Sequence, residues 1–244
     1  MRRFFLNAAL AANMVIEGSD VDHICRVLRM KSGDKIIVVD YKGKAGIAEI
    51  QQVTVTSVTL KLKEQLAEDR EPDIKVCLVQ GLPKGDKMDY IVQKAVELGV
   101  DRIIPMISKH VVVRYDDQKK AQRVIRWQKI AVEASKQCGR FCVPTVEPIQ
   151  DMSEIMKKTA GGSEVLVLYE GEQGQGLKQV LLSQQVLSYT LIVGPEGGFA
   201  PEEISGWQQK KASIVTLGSR ILRTETASLA AVSIVMYECG NLGG

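Results

Sequence analysis

Two glycine-containing loops follow apolar, strand-like segments in the last quarter of the chain. The first has the sequence GPEGG at 194–198 and follows the apolar run 191–193, and the second runs from Gly218 to Glu225. Such loops expose backbone N–H and C=O groups at the end of a strand. In open α/β sheets, ligands bind at the carboxyl ends of the strands. Both loops are therefore predicted to contact a ligand.

The second loop also carries charged side chains suited to proton transfer, namely Arg220, Arg223 and Glu225. A carboxylate can accept a proton, and a guanidinium can stabilise the negative charge that develops as the proton leaves. Charged residues that a rigid scaffold places on a loop more often bind or catalyse than stabilise. We therefore predict catalytic roles for all three. The alternative for Glu225 is a favourable position at a helix N-terminus.

A third loop follows the strand-like segment 164–170. If the three strands are neighbours, their loops line one crevice of exposed backbone, which suits an adenosine-like ligand in a mostly apolar pocket. The stretch 169–180 contains glycines at 171, 174 and 176. Their spacing is not G-x-G-x-x-G, so a dinucleotide site is disfavoured. The alternative for the glycines of the first two loops is that they only form tight turns. For the stretch 169–180 the alternative is a flexible loop without ligand contact.

The remaining segments predict the elements that position these loops. Up to about residue 70, β-type segments at 34–40, 45–53 and 53–63, with a short helix at 19–34, predict a small barrel or sandwich. The charged stretch 65–73 predicts a linker. Beyond it, predicted strands alternate with helices, which indicates a mainly parallel sheet under helical cover. The predicted strands are 74–82, 101–107, 164–170, 189–194 and 212–218, and the predicted helices include 86–99, 117–137 and 226–239. Thr224 or Thr226 is predicted to cap the last helix.

Composition narrows the class of protein. The chain has 244 residues, a net charge of +3, five scattered cysteines and two histidines. This set favours free thiols in a reducing compartment and argues against a metal centre. The N-terminal apolar stretch superficially resembles a signal peptide, but Asn7 and Asn13 interrupt it. No apolar run approaches the roughly 18 residues that span a bilayer. We expect a cytoplasmic protein without metal or membrane partner.

The two loops carry a resemblance to a known family. GPEGGFAPEE and LGSRILRTETA resemble the signature loops of the RsmE family, SPOUT-superfamily methyltransferases that modify N3 of a uridine in 16S ribosomal RNA. MRRFF, HICRVLRMKSGD, LPKGDKMDYIVQKAVELGV and RWQKIAVEASKQCGR resemble further family blocks in the same order. The last block usually ends in Gln-Ser-Gly-Arg, so Cys138 departs from it. These blocks span nearly the whole chain.

The resemblance implies a fold class, a cofactor and partners. The fold would be α/β with a small β-barrel N-terminal domain: a PUA-like RNA-binding barrel over 1–70, then a SPOUT α/β trefoil-knot methyltransferase domain over 74–244. The protein would be a homodimer that acts on 16S rRNA, within the small ribosomal subunit. S-adenosylmethionine would lie in the knot. The implied cofactor-binding residues are Leu168, Tyr169, Glu170, Gly194, Pro195, Glu196, Gly197, Gly198, Leu217, Gly218, Ser219, Ile221, Leu222 and Thr226.

For that reaction, N3 of uracil must lose its proton as it attacks. Glu225 is predicted to take this proton or to orient the base edge, and Arg223 or Arg220 to stabilise the uridinate. Glu196 and Glu170 are weaker alternatives, since either can instead bind the ribose hydroxyls of the cofactor.

RNA contact is predicted from basic side chains. Between residues 109 and 142 nine Lys and Arg face three acids, a local excess of six positive charges. A basic helix is most often a solvated face, but this excess favours phosphate binding. The predicted RNA-contact residues are Arg3, Arg26, Arg29, Lys31, Lys84, Arg114, Arg126 and Arg140.

Two other functions stay open at the level of the residues. One is a non-catalytic rRNA-binding assembly factor with a degenerate methyltransferase fold, although the intact glycines at 194, 197, 198 and 218 argue against it. The other is a SPOUT methyltransferase that acts on transfer RNA.

Overall fold

The computed structural model describes residues 1–67, 71–159, 162–172, 174–183 and 186–243. The chain divides into two compact units, one formed by Met1–Glu71 with Ser135–Cys142 and the other by Pro72–Ala134 with Val143–Gly244. The predicted linker at 65–73 and the predicted domain boundary at residue 70 include residues 68–70, which lie outside the described residues.

The first unit is built on a curled five-stranded sheet. Its strands are β1 (Arg3–Phe5), β2 (Asn13–Glu17), β3 (Lys35–Val39), β4 (Ala45–Val53) and β5 (Ser57–Leu66), in the order β1-β3-β4-β5-β2. Only the β1–β3 pair is parallel. Alternate strand residues point to one face, where they form an apolar core. That core includes Phe4, Ile16, Ile36, Val38, Ile50 and Leu60.

Two predicted elements of this unit differ from the structure. The helix predicted over 19–34 is limited to α1 (Ser19–Asp22) and one π-helical turn (His23–Val27). Arg29 has φ of 51°, a left-handed conformation that an α-helix cannot continue through. The strand predicted over 53–63 begins only at Ser57, because the Thr54 hydroxyl accepts a hydrogen bond from the Ser57 N–H at 2.9 Å and closes a turn.

The second unit contains a seven-stranded sheet in which every observed strand pair is parallel. The main strand order is β12-β10-β11-β6-β7-β8, and β9 also pairs with β7. The strands are β6 (Lys75–Gly81), β7 (Arg102–Ile107), β8 (Thr145–Val146), β9 (Gln150–Asp151), β10 (Glu164–Leu168), β11 (Ser188–Val193) and β12 (Ser213–Val215). The predicted α/β class with a mainly parallel sheet is confirmed.

Helices cover both faces of this sheet. They are α2 (Lys87–Glu97), α3 (Asp117–Cys138), α4 (Met152–Lys158), α5 (Leu177–Ser183), α6 (Pro201–Gln209) and α7 (Thr224–Glu238). Successive strand residues alternate between two apolar cores, as a period of two requires. Leu78, Leu166 and Leu191 pack with residues of α2, α5 and α7, whereas Val79, Val167 and Ile192 pack with residues of α4 and α6. The short elements β8, β9, α4 and α5 were not among the sequence-based predictions.

The last helix begins two residues earlier than predicted. Its first residue is Thr224 and its N-cap is Arg223, which makes no side-chain capping bond. The prediction that Thr224 or Thr226 caps this helix is therefore wrong. Glu225 lies in the first helical turn rather than on the loop, so both its predicted chemistry and its alternative role at a helix N-terminus remain compatible with its position.

Candidate active site

The three loops identified from the sequence lie side by side. Strand β10 pairs with both β11 and β12, and the register places Leu168 opposite Val193 and Val215. The three strands therefore end at one level of the sheet, and the loops after them line a common cleft of about 370 Å³. The loop at 216–223 completes its wall before α7 begins.

Close backbone packing fixes the GPEGG loop. Gly81, at the end of β6, lies so near this loop that a Cβ atom built on it would stand 2.6 Å from the Pro195 nitrogen and 2.9 Å from the Gly194 carbonyl carbon. Gly198 has φ of 65°, and a Cβ on it would lie 2.5 Å from Glu170 Oε1. The glycines thus bring main-chain groups and the Glu170 carboxylate together at the cleft wall.

A buried polar network holds the start of α7 against the same loop. The Thr224 hydroxyl donates a hydrogen bond to the Gly194 carbonyl at 2.6 Å and accepts one from the side-chain amide of Gln80 at 2.9 Å. The Ser228 hydroxyl contacts the Gln80 side-chain oxygen and the Thr224 carbonyl. Gln80, Thr224 and Ser228 are all buried. Buried polar groups of this kind specify one arrangement because leaving any of them unpaired costs free energy.

This network predicts an effect of replacing Thr224 by Val. The substitution keeps the β-branched shape but leaves the Gly194 carbonyl and the Gln80 amide without their buried partner. We expect the free energy of unfolding to fall by about 1–3 kcal/mol, measured by urea denaturation. Thr226→Val is the matched control, because Thr226 is exposed on the same helix and its change should stay within about 0.5 kcal/mol. Equal stability of the two variants would contradict the role assigned to the network.

One lysine that lines the cleft forms ion pairs with two acidic side chains. Lys87, the first residue of α2, lines the cleft, and its Nζ lies 3.0 Å from Glu196 Oε1 and 3.3 Å from Glu225 Oε2. Burial raises the pKa of Glu196, but hydrogen bonds from Lys87 and from backbone N–H groups, including that of Lys84, bring it below its ordinary value. The hydrogen bond to Glu196 raises the pKa of Lys87. Lys87 thus remains a cation at neutral pH.

The predicted arginines face the cleft. Arg220 and Arg223 line it and are exposed, and within the described part of the chain neither guanidinium makes an ion pair. Ile221 between them is 84% exposed. Unpaired guanidinium groups at the opening of a cleft are suited to bind an anion or to stabilise negative charge.

Most of the predicted cofactor residues line this cleft. They are Leu168, Tyr169, Glu170, Gly194, Pro195, Glu196, Gly198, Leu217, Gly218, Ser219, Ile221 and Leu222. Gly197 does not: its carbonyl oxygen lies 2.9 Å from His110 Nδ1, and a Cβ on it would stand 2.8 Å from His110 Cβ. Gly197 therefore packs against the loop after β7. Thr226 is exposed and does not line the cleft. Glu225 does not line it either, but it contacts the cleft residue Lys87.

The sequence predictions missed several cleft residues. Besides Lys87, they are Val193, Phe199, Thr216, Thr224 and Ala227. Lys87 had one available signal: it follows the strand 74–82, so it too comes after the carboxyl end of a strand. No functional role was predicted for it, because the apolar face of helix 86–99 indicated a packing element.

In the folded chain, acidic partners offset much of the positive charge of the basic segment 109–142. Within the part of the chain that the structure describes, six of the segment's nine cations form ion pairs. The pairs are Lys109–Glu202, Lys120–Asp117, Arg123–Asp86, Arg126–Asp89, Lys136–Asp20 and Arg140–Glu71. All of the acids except Asp117 come from outside the segment. The excess of six positive charges therefore does not describe the folded surface.

The eight predicted RNA-contact residues divide into distinct groups. Arg3 and Arg140 are buried, with exposed fractions of 8% and 7%, and Arg140 donates to Glu71 at 2.6 Å. A buried arginine reaches a phosphate only by giving up its present contacts, so the burial of these two does not favour RNA contact, which stays a prediction for them. Arg26 and Arg126 are exposed but paired with Asp22 and Asp89. The exposed residues with no ion pair among the described residues are Arg29, Lys31, Lys84 and Arg114.

The described residues contain no cluster of three or more His, Cys, Asp or Glu side chains that could hold a metal ion. They also contain no helix with the length and apolar character needed to cross a bilayer.

The chain matches two family models. One, described as an RNA methyltransferase domain, covers residues 70–236, and the other, an RNA methyltransferase PUA domain, covers residues 16–63. Ribosomal RNA small subunit methyltransferase E of Bacillus subtilis is 36% identical, with 100% of this chain and 99% of that protein aligned. The protein of the same name from Rickettsia conorii is 31% identical, with 96% and 94% aligned.

Solved structures of similar proteins also include methyltransferases. Ribosomal RNA small subunit methyltransferase E from Neisseria gonorrhoeae, bound to S-adenosyl methionine, superposes with a TM-score of 0.86 at 33% identity and 97% coverage of both chains. A putative methyltransferase from Legionella pneumophila, in complex with the same cofactor, has a TM-score of 0.82 at 28% identity and 96% coverage of both chains. With the observed topology, these matches confirm the predicted fold class, a PUA-like β domain followed by a SPOUT α/β trefoil-knot domain.

Proposed function

The chain belongs to the ribosomal RNA small subunit methyltransferase E (RsmE) family, and on that basis we propose that it transfers the methyl group of S-adenosylmethionine to N3 of a uridine in 16S ribosomal RNA. The observation that carries this proposal is the cleft itself. Three strand-end loops meet there, and those after β11 and β12 contribute glycine backbone. Arg220 and Arg223, which make no ion pair among the described residues, lie at the same cleft.

The cleft residues fit the cofactor. Because Gly198 has no Cβ, the Glu170 carboxylate packs directly against the loop after β11. Gly194, Gly198 and Gly218 line the cleft, so backbone groups of the loops after β11 and β12 can contact an adenosine. The Glu170 carboxylate beside Gly198 is positioned to accept hydrogen bonds from ribose hydroxyls. Apolar side chains, including Leu168, Val193 and Leu217, cover the remaining wall. When bound, S-adenosylmethionine supplies an electrophilic methyl group on a sulfonium.

The charged residues divide the remaining chemistry between them. Arg220 and Arg223 stabilise the negative charge that grows on the uracil oxygens as N3 loses its proton. A lowered pKa makes Glu196 a poor proton acceptor, so its role is to fix the GPEGG loop through Lys87. Glu225 Oε2 faces Lys87, and we assign the proton to Oε1, which makes no hydrogen bond in the described residues.

Replacement of Glu225 by Gln tests this assignment. The amide keeps the shape of the side chain but cannot act as a base. We expect the single-turnover rate of methyl transfer to fall by about 10²-fold or more, with little change in cofactor affinity. Glu170→Gln is the comparison, for which we expect weaker cofactor binding in calorimetry and a smaller loss of rate at saturating cofactor. An undiminished rate for Glu225→Gln would remove the assignment.

We also propose how the two parts of the chain share the work. The β domain over residues 1–70 binds RNA, and residues 74–244 bind the cofactor, catalyse and form a homodimer. Exposed apolar side chains on α2, α3 and α7, namely Tyr90, Ile125 and Tyr237, support such an interface. The exposed cations Arg29, Lys31, Lys84 and Arg114 support RNA contact. We propose the cytoplasm as the location and the small ribosomal subunit as the context of the reaction.

The decisive experiment is methylation of small ribosomal subunits with S-adenosylmethionine that carries a labelled methyl group. Digestion of the 16S RNA to nucleosides should yield labelled 3-methyluridine. Label in another nucleoside would reject N3 of uridine as the target. Absence of label, in a protein that binds the cofactor, would favour a different RNA substrate, and transfer RNA is the first to test.

A further inference from the structure

Lys87 lies between two acidic side chains from different elements, of which Glu196 lines the cleft and Glu225 does not. Glu196 is part of the GPEGG loop after β11, and Glu225 lies in the first turn of α7. The Lys87 ammonium lies within 3.3 Å of an oxygen of each. One cation from α2 therefore contacts both the GPEGG loop and the first turn of α7.

Burial makes this connection necessary for Glu225. Its side chain is 18% exposed, and Oε2 is covered almost completely. Taking a carboxylate out of water is costly unless a cation compensates its charge. Lys87 is the ion-pair partner of Glu225 within the described residues. Lys87 itself lines the cleft and its side chain is 35% exposed. The cation that compensates the charge of Glu225 therefore lies at the proposed binding cleft.

We propose that Lys87 is a positioning residue that compensates the charges of Glu196 and Glu225 and holds both side chains in place beside the cleft. This inference rests on the proposed methyl transfer. Through Glu196 the lysine fixes the GPEGG loop, whose backbone binds the cofactor. Through Glu225 it fixes the first turn of α7, directly after Arg223, and compensates the charge of the proposed proton acceptor.

The surrounding charges leave this role to Lys87. The other charged side chains that line the cleft are Glu170, Arg220 and Arg223. At the start of α2, Asp86 is paired with Arg123 at 4.0 Å, and Lys84 reaches Glu196 through its backbone N–H at 3.1 Å. Without Lys87, neither carboxylate would have a counter-ion in contact among the described residues, and Glu196 would take up a proton at a higher pH.

The test is Lys87→Met, which keeps the unbranched side chain and removes the charge. In the free protein, carbon-13 NMR of labelled glutamate should show that Glu196 titrates at a higher pH than in the wild type. In single-turnover methylation of small subunits at saturating cofactor, we expect the acid limb of the pH–rate profile to move up by about one pH unit. Lys87→Arg keeps a cation and should retain the wild-type profile more closely than the Met variant.

A double variant separates charge from packing. Adding Glu196→Gln to Lys87→Met removes the second carboxylate, so the acid limb should return toward its wild-type position. A purely structural role for Lys87 predicts no such recovery. If Lys87→Met does not fold, Lys87→Gln takes its place with the same expectation.

Two results would overturn the proposal. One is an unchanged Glu196 titration together with an unchanged pH–rate profile in Lys87→Met, and the other is a uniform loss of rate without movement of the profile. Failure of the wild-type protein to methylate 16S RNA would instead reject the proposed function. The NMR titration would still test the role of Lys87 in that case, because it needs neither RNA nor cofactor.

Discussion

Replacement of Gly81 by Ala is expected to lower the affinity for S-adenosylmethionine at least tenfold, although Gly81 does not line the cleft. The added Cβ would stand 2.6 Å from the Pro195 nitrogen, 2.7 Å from its Cδ and 2.9 Å from the Gly194 carbonyl carbon. Two of these are backbone atoms, so the loop itself must move. A displacement of about 1 Å at a binding loop is enough to cost roughly 10²-fold in function, and such overpacking typically costs about 1–3 kcal/mol of stability.

Calorimetric titration with the cofactor and urea denaturation measure the two effects separately. Gly176→Ala is the matched control, because a Cβ there meets nothing closer than Gln179 Oε1 at 3.8 Å. We expect its affinity to match that of the wild type. If Gly81→Ala bound the cofactor as tightly as Gly176→Ala, the packing of β6 against the GPEGG loop would not govern the cleft.

Gly81 also marks the limit of what the sequence predicted. The glycines at 194 and 198 stood out because they follow an apolar strand, and the register of Leu168 with Val193 and Val215 brings their loop to the predicted crevice. Gly81 ends a strand in an ordinary way. Its importance comes from a contact with a loop far along the chain, and no local pattern encodes that contact.

The ion pairs of the basic segment 109–142 likewise depend on contacts between residues that are remote in sequence. Composition within 109–142 indicated a basic surface, but the folded chain brings Asp20, Glu71, Asp86, Asp89 and Glu202 against it. Arg220 and Arg223 were predicted correctly to lie at the cleft because their own loop follows a strand. Lys87 was missed because its helix was interpreted as a packing element and its two partners are remote in sequence. Local spacing therefore identified which loops form the cleft, whereas long-range packing decides which cations remain available there.

That distinction makes Arg223 the most informative residue to change. Its guanidinium is exposed at the cleft, makes no ion pair in the described residues and immediately precedes α7. We expect Arg223→Met to lower the single-turnover rate by about 10²-fold, because charge that develops on the uracil oxygens loses its partner. Cofactor affinity, measured by calorimetry, should change far less, because the backbone of the three loops supplies most of that contact.

Arg223→Lys should recover part of the rate. Lysine keeps the positive charge but lacks the planar guanidinium that can donate two parallel hydrogen bonds. The salt dependence of RNA binding adds a second measure: if Arg223 also contacts a phosphate, the slope of log affinity against log salt should fall by about one in the Met variant. Lys210→Met is the charge-matched control on an exposed residue at the end of α6. Equal losses in Lys210→Met and Arg223→Met would mean that net charge, rather than a guanidinium at the reacting base, sets the rate. A loss confined to Arg223→Met, with cofactor binding intact, would place this arginine in the chemical step.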